Sequence, residues 1–332
     1  MKVKALVLKK IGGPEVLELS EVEVLKPQSD EVQVRVHFTG LNFAEILMRQ
    51  GLYQDAPPLP FIPGYEWCGQ IIALGDSVSG FELGEIVFGG SRFGSHQEVI
   101  NINSKYVLKK AESLTPEEMA GAPVSMMTAF ASVVEMGGLR SHHHLLVDCG
   151  SGGLGQIAIQ MANVIGAKVT ALTSSPEKKK MISDLGARAL THDEWEKLSD
   201  KYDVVLNSQL GTTVRAHAKR LNPMGRVVCV GISEGITPGK RDIIKLLKLL
   251  IQTKKFKMTE LFNHNSGIMA VNLLTTIANE ESMNLILKNV SEFINQGVKP
   301  VVGHVYTKHE FSKAHDDLEN RRCRGKVIID WR

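Results

Sequence analysis

The sequence predicts an α/β protein in two parts: a mainly antiparallel, barrel-like β-domain, then a doubly wound parallel sheet with helices on both faces. Three observations predict it. Residues 1–115 carry short alternating runs with Gly/Pro punctuation, EVQVRVHF (31–38), CGQIIALG (68–75) and HQEVINI (96–102), the pattern of half-buried antiparallel strands. The rhythm changes at LTPEEMAGAPVSMMTAFASVV (114–134), where an early Pro and two acids mark the start of a helix. Apolar runs then alternate with helical periods through HLLVDCGSGGLGQIAIQMANVIGAKVTALTSS (144–175), KYDVVLNSQ (201–209) and GRVVCVGIS (225–233), which implies βαβ units and a parallel sheet. A helix (283–297), a short strand, a final helix and the strand GKVIIDWR close the chain. The expected domains are 1–117, 118–260 and a C-terminal part, 261–332, that completes both.

Composition narrows the function classes. The chain has 332 residues, 43% hydrophobic and 23% charged, enough for a large core and about two domains. A net charge of +3 is too small to imply nucleic-acid binding. Cys68, Cys149, Cys229 and Cys323 are far apart and none lies in a CxxC pair, which argues against a disulfide framework and fits a reducing, cytoplasmic setting. MKVKALVLKKIGGPEV reads as a first strand, not a signal peptide. No unbroken apolar run reaches the ~20 residues of a spanning helix; the best rival, 119–134, is interrupted by Gly121, Pro123, Ser125 and Thr128. A soluble protein able to touch a membrane surface is expected.

Gly150, Gly152, Gly153 and Gly155 sit in CGSGGLGQ, after a strand and before a helix. Glycines there permit a tight bend, close approach of the backbone to a pyrophosphate and close helix–strand packing, while the helix N-terminus faces the phosphates. This is the Rossmann-type dinucleotide turn. The next strand ends in Thr173, Ser174 and Ser175, with Lys178 to Lys180 behind. An acid at that tip would hold an NAD ribose and repel a 2′-phosphate; hydroxyls and a cation favour the 2′-phosphate. The expected cofactor is NADPH, with Lys178 as the phosphate cation and Lys179 and Lys180 on a solvated face.

The stretch FIPGYEWCGQII (61–72) packs Glu66 near Cys68 and resembles the edge of a metal site. Catalytic zinc takes about three protein ligands, and these residues do not supply them. No metal is expected.

GLNFAEILMRQGLY (40–53), PLPFIPGYEWCGQIIALGDSVSGFELGEIVF (58–88), GSGGLG (150–155), LNPMGRVVCVG (221–231) and RGKVIID (324–330) together resemble the medium-chain dehydrogenase/reductase superfamily in its zinc-independent quinone oxidoreductase branch. Within it, RQGLY, ALGDSVSGF and NPMGRVV are most similar to the vesicle amine transport protein homologues. The resemblance implies a GroES-like catalytic domain beside the Rossmann domain. Zinc-dependent members carry Gly-His-Glu where this chain has Gly64-Tyr65-Glu66, and a Cys near Thr39. Without a Lewis acid the substrate must already accept hydride well, as quinones and α,β-unsaturated carbonyls do. The resemblance places Asn42 and Tyr53 in the active cleft. Asn42 is either a donor to the carbonyl or a turn residue. Tyr53 and Tyr65 are rival proton donors, and solvent is the third source because Leu47 and Met48 replace a Tyr of relatives. For the cofactor it implies Thr128 on the nicotinamide side and Gly152, Gly153, Leu154 and Gly155 at the pyrophosphate. Thr173, Ser174 and Lys178 fall by the 2′-phosphate, with Asn207 in place of an acid, then Gly231 and Arg321. Arg322 and Arg324 are register rivals of Arg321, and Asp193, after His192, opposes a 2′-phosphate if it lies nearby. A homodimer is the implied assembly.

SHHH (141–144) reads as a solvated loop, since adjacent histidines on extended chain face opposite ways. KRDIIKLLKLLIQTKKFK (240–257) has seven Lys/Arg and one Asp, a local +6 that leaves about −3 (3 − 6) elsewhere. Its apolar residues Ile243, Leu246, Leu247, Leu250 and Ile251 recur at helical spacing. Packing on the other domain or lining the substrate entrance is the expected use of that face; reversible contact with an anionic membrane is the alternative. Three functions stay open: a quinone or enone reductase, an enoyl reductase for acyl-linked substrates, and a membrane-associated NADPH-binding regulatory protein.

Overall fold

A computed structural model of the chain describes residues 1–253 and 258–332. Its strands, in chain order, are β1 (Lys2–Leu8), β2 (Leu17–Glu23), β3 (Glu31–Leu41), β4 (Glu66–Leu74), β5 (Ile86–Gly90), β6 (Val99–Asn103), β7 (Val107–Lys109), β8 (His144–Val147), β9 (Lys168–Thr173), β10 (Arg188–Thr191), β11 (Tyr202–Asn207), β12 (Leu221–Cys229), β13 (Gly267–Ala270), β14 (Val302–Thr307) and β15 (Lys326–Asp330).

One unit comprises Met1–Val124, Pro238–Arg241 and Pro300–Arg332, the other Ser125–Thr237 and Asp242–Lys299. The residues after 261 therefore divide at Pro300. The first unit is mainly antiparallel. Its large sheet has the order β14-β15-β3-β4-β5-β7, with β6 also paired to β3, and β1-β2 form a separate ribbon. Among the described residues, β14-β15 is the one parallel pair of that sheet. Its core joins Leu6, Val32, Val34, Trp67 and Ile71 to Phe311 and Trp331. The second unit holds an all-parallel sheet in the order β10-β9-β8-β11-β12-β13. Its inner strands are buried almost residue for residue, as a sheet covered on both faces requires.

β3 organises the first unit because it pairs with three strands at once. Asn42 then adopts extended backbone and starts the helix Phe43–Arg49, its N–H donating to Glu45 Oε1 at 2.9 Å in the manner of a capping box. The same helix sends Arg49 to Glu319 at 2.7 Å, an ion pair fully removed from solvent that ties it to the helix Phe311–Glu319. The expected helix at 114–134 runs as Pro116–Ala129, started by Thr115 and Glu118, and continues in wider π turns through Phe130–Met136. By length and composition this stretch could cross a bilayer, yet 72% of its apolar window is buried inside the protein.

The basic amphipathic stretch forms a helix over Ile243–Thr253, and its KKFK end (254–257) lies outside the described residues. Most of its apolar face is exposed rather than packed. Leu249 is buried, whereas Ile243, Ile244, Leu247, Leu250 and Ile251 are exposed. Helical periodicity puts all five on one side. In the next helix, Met258–His264, Phe262 is 84% exposed.

Breaking a buried ion pair from one side leaves an uncompensated charge, at a cost of roughly 3–5 kcal/mol. Arg49→Met is therefore expected to lower the unfolding free energy by that amount in urea titration. The double variant Arg49→Met, Glu319→Met should recover most of it. Equal losses in both would show that packing, not charge, governs the site.

Candidate active site and nucleotide-binding turn

In the second unit the glycine cluster lies where β8 gives way to the helix Gly153–Ile165. Gly152 is the extended residue before the first turn, so the N–H groups of Gly153, Leu154 and Gly155 have no acceptor within the helix. A side chain on Gly155 would collide with the Cys149 carbonyl oxygen, and one on Gly150 would stand 2.7 Å from Ala171 Cβ on β9. Only glycine permits this approach of helix to sheet. The result is an N-terminal amide cluster at the carboxyl end of a parallel strand, the place where open α/β sheets take phosphate groups.

β9 ends at buried Thr173, whose Oγ1 accepts from the Ser175 N–H at 3.3 Å, and Ser174 is exposed. Neither is acidic. Lys178 is 8% exposed, while Lys179 and Lys180 pair with Glu194 and Asp184 at the surface. Thr191 on β10 is in register with Thr173, so His192 and exposed Asp193 follow close to the same end of the sheet. These residues form a carboxylate-free strand tip with an acid beyond the neighbouring strand.

Asn207 ends β11 fully buried. Its Nδ2 donates to Thr213 Oγ1 at 2.8 Å and His217 Nδ1 at 3.0 Å; its Oδ1 accepts from Gln209 N and Leu210 N. All four capacities of the amide are committed, so the side chain anchors its own turn. Burial lowers the His217 pKa to about 3, keeping it the neutral acceptor this requires. Gly231 follows β12, with a Cβ position 2.9 Å from the Ser208 carbonyl oxygen. Thr128 lies in the helix Pro116–Ala129, its carbonyl accepting from Ser132 Oγ. Arg321 is an exposed residue of the other unit, in left-handed backbone (φ 58) after the helix Phe311–Glu319.

Sequence reasoning missed Asp148. It follows β8, is buried, and accepts from the Ser208 N–H at 3.1 Å and the Ser208 hydroxyl at 2.9 Å. That joins the glycine turn to the end of β11. Burial raises its pKa to about 6, against the hydrogen bonds that favour the anion. Its signal was a single acid between an apolar strand and the glycines.

In the first unit, strand register assembles a polar cluster. Val327 pairs with Leu41 and Trp67 with Thr39, which places Lys326 beside Asn42 and Glu66 beside Gly40. Lys326 Nζ donates to Asn42 Oδ1 at 2.7 Å and pairs with Glu66; Asn42 Nδ2 donates to Glu66 Oε1 at 2.9 Å. Glu66 Oε2 accepts from the Val124 N–H at 2.8 Å. A second chain runs beside it. Trp331 Nε1 donates to Thr39 Oγ1 at 2.9 Å, Thr39 meets His96 Nδ1 at 2.8 Å, and His96 Nε2 meets Glu45 Oε2 at 2.6 Å. Trp331 Nε1–H is the fixed donor of this chain, and the roles at the two His96 contacts depend on the imidazole tautomer. Thr39 is thus a hydrogen-bond link between Trp331 and His96. Among the described residues no group of three or more His, Cys, Asp or Glu could hold a metal ion.

Tyr65 is buried, its ring 5.5 Å from that of Phe93, and its hydroxyl has no well-formed hydrogen bond. The Tyr53 hydroxyl is its neighbour without the alignment of a full bond. Burial pushes both phenols up, Tyr65 far above its ordinary value, so both carry their protons at neutral pH. The structure thus brings Tyr53 to Tyr65 and Asn42 to Glu66, with Lys326, His96 and Glu45 as participants that sequence reasoning did not single out.

Two family profiles match the chain: an alcohol dehydrogenase GroES-like domain over residues 28–136 and a zinc-binding dehydrogenase over 153–276. The synaptic vesicle membrane protein VAT-1 homolog of Danio rerio is 30% identical, over 98% of this chain and 69% of its own length. The chain belongs to the medium-chain dehydrogenase/reductase superfamily, in its zinc-independent quinone oxidoreductase branch. Among solved structures of that fold, the quinone oxidoreductase of Pseudomonas syringae pv. Tomato DC3000 superposes with a TM-score of 0.83 at 25% identity, covering 99% of this chain and 100% of its own. A mycobacterial protein solved as an NADPH complex superposes at 0.85 with 24% identity, covering 99% and 100%. The GroES-like and Rossmann-type architecture of this superfamily is the one the two sheets describe.

Asp148 gives the superfamily turn a pH signature. Its folded pKa is raised from 3.8 to about 6, so its stabilising contribution is complete below pH ~4 and is lost as pH rises through ~6, about 3 kcal/mol in all. Asp148→Asn is expected to remove that decline. Urea unfolding at pH 4.5 and 7.5 checks it: the wild type should lose more stability between the two than the variant. Parallel pH dependence would contradict it.

Proposed function

We propose that the chain is an NADPH-dependent, zinc-independent reductase that transfers hydride to a quinone or an α,β-unsaturated carbonyl. The observation that carries this reading is the glycine-walled amide cluster followed by a strand tip of Thr173 and Ser174 without a carboxylate. The donor set fits the cofactor. The N–H groups of Gly153, Leu154 and Gly155 suit the pyrophosphate, and Ser174 and Lys178 suit the 2′-phosphate. NADPH, when bound, supplies the hydride. The NADPH complex of the mycobacterial neighbour and the quinone oxidoreductase named in the other support the reading.

The first unit would serve the acceptor. Asn42 is half-buried, and its Nδ2 has one N–H engaged by Glu66. The other reaches only a long 3.5 Å contact with the Gly40 carbonyl. It can donate to a carbonyl oxygen as that oxygen gains charge. Tyr53 and Tyr65 are rival proton donors for the reduced oxygen or carbon, with solvent as the third source.

Turnover of a para-quinone with NADPH and with NADH tests the cofactor choice. The wild type is expected to prefer NADPH by ~10-fold or more in kcat/KM, and Ser174→Asp to reverse that preference through repulsion of the 2′-phosphate. An unchanged ratio in Ser174→Asp would contradict the assigned tip.

Membrane-surface contact is a second reading, favoured by the outward apolar side of Ile243–Thr253. Leu247 is 53% exposed, and Lys248 on the same helix is exposed. This is the chemistry of a helix lying on an anionic bilayer, and the VAT-1 relatives are named as synaptic vesicle membrane proteins. Wild-type protein should float with phosphatidylserine-containing vesicles, less at high salt. Leu247→Asp with Ile251→Asp should abolish flotation. Absence of wild-type flotation would dismiss this reading.

A further inference from the structure

We propose that Lys326 is a positioning residue for the reduction, locking the Asn42 amide so that an N–H faces the substrate carbonyl. The inference rests on the reductase reading and names a residue to which that reading gave no role.

Lys326 is 4% exposed and Glu66 is fully buried, so neither side chain meets bulk water. The space they occupy is made by two glycines. A side chain at Gly40 would strike Glu66 Oε1 and stand 2.7 Å from the Ala120 carbonyl oxygen; one at Gly121 would stand 2.7 Å from Lys326 Cγ. Two charges are thus packed into a closed site at a place where apolar residues of similar volume would ordinarily serve stability as well or better. Their polar consequence is felt at Asn42.

The Asn42 amide has two orientations, related by a flip about its terminal bond. In the one observed, Oδ1 accepts from the Lys326 ammonium and Nδ2 donates to Glu66. The flipped amide would set Nδ2 against the ammonium, donor to donor, and Oδ1 against the carboxylate, acceptor to acceptor. Both hydrogen bonds, each to a charged partner, would be lost inside a buried site. The lock therefore leaves the donor face, never the acceptor face, for the substrate oxygen. A cation on Oδ1 also draws electron density from the amide and strengthens its N–H as a donor. Glu66 alone would hold the nitrogen; Lys326 makes the alternative unavailable and polarises the group.

Lys326→Met removes the donor to Oδ1, while Lys326→Arg keeps both a cation for Glu66 and an N–H for Asn42. With a para-quinone and NADPH, Lys326→Met is expected to lower kcat ~10- to 100-fold, with the NADPH dissociation constant unchanged. Lys326→Arg should restore most of kcat. In an Asn42→Ala background, Lys326→Met should cost less than ~2-fold, because the group it acts through is gone. An equal loss in both backgrounds, or full kcat in folded Lys326→Met, overturns the proposal. The wild type offers a second measurement that does not depend on the variants folding: at least one Asn42 side-chain amide proton should exchange slowly with solvent. Fast exchange of both protons overturns the lock. If the wild type does not turn over, the reductase reading falls, and the amide measurement decides the lock on its own.

Discussion

The buried Glu66–Lys326 pair is the constraint on which the first unit turns. It joins the start of β4 to the start of β15 across the end of β3, and through Val124 N–H it also holds the helix that begins at Pro116. A buried ion pair is weak evidence for stability, since desolvation offsets the attraction. Here its worth is in specification. The registers β3-β4 and β3-β15 must both be correct for the two charges to meet, and a slip of either strand by one residue would bury a lone charge. The same pair fixes the polarity of Asn42, so fold register and proposed chemistry rest on one contact.

The second unit relies on close approach more than on charge. Gly155 and Gly150 let the helix Gly153–Ile165 come onto the sheet, and Asp148 ties that turn to Ser208 at the end of β11. The carboxylate accepts from the Ser208 N–H and hydroxyl yet remains expensive to ionise, because burial outweighs the hydrogen bonds. The turn is thereby organised around a group whose charge state changes near pH 6, at the foot of the helix proposed to face phosphates.

Much of the fold was legible because its signals are local. The alternating run of β3, the glycine turn and the apolar parallel strands each declare themselves within about ten residues. The helix expected at 283–297 forms at Glu280–Asn295, displaced at its ends because Asn279 caps it earlier than the apolar pattern showed. The site was less legible because its contacts are distant in sequence. Lys326 lies 284 residues from Asn42, and His96 lies 51 from Glu45; no spacing rule joins such positions. Asn207 drew notice as a cofactor contact, but its amide is spent on its own turn. The periodicity of residues 243–251 announces the helix that forms, but not that most of its apolar side is exposed. Amphipathicity alone states that an apolar side exists, and only the packing shows that this one faces outward.

The most direct measurement is a single-turnover reaction of the protein with NADPH carrying deuterium at the transferable C4 position and a short α,β-unsaturated ketone. Hydride transfer from the nicotinamide predicts one deuterium on the β-carbon of the saturated product, bound to carbon and safe from exchange. Tight binding of the nucleotide with no deuterium in the product, and no oxidation of NADPH by a para-quinone, would contradict a reductase and leave a nucleotide-binding protein.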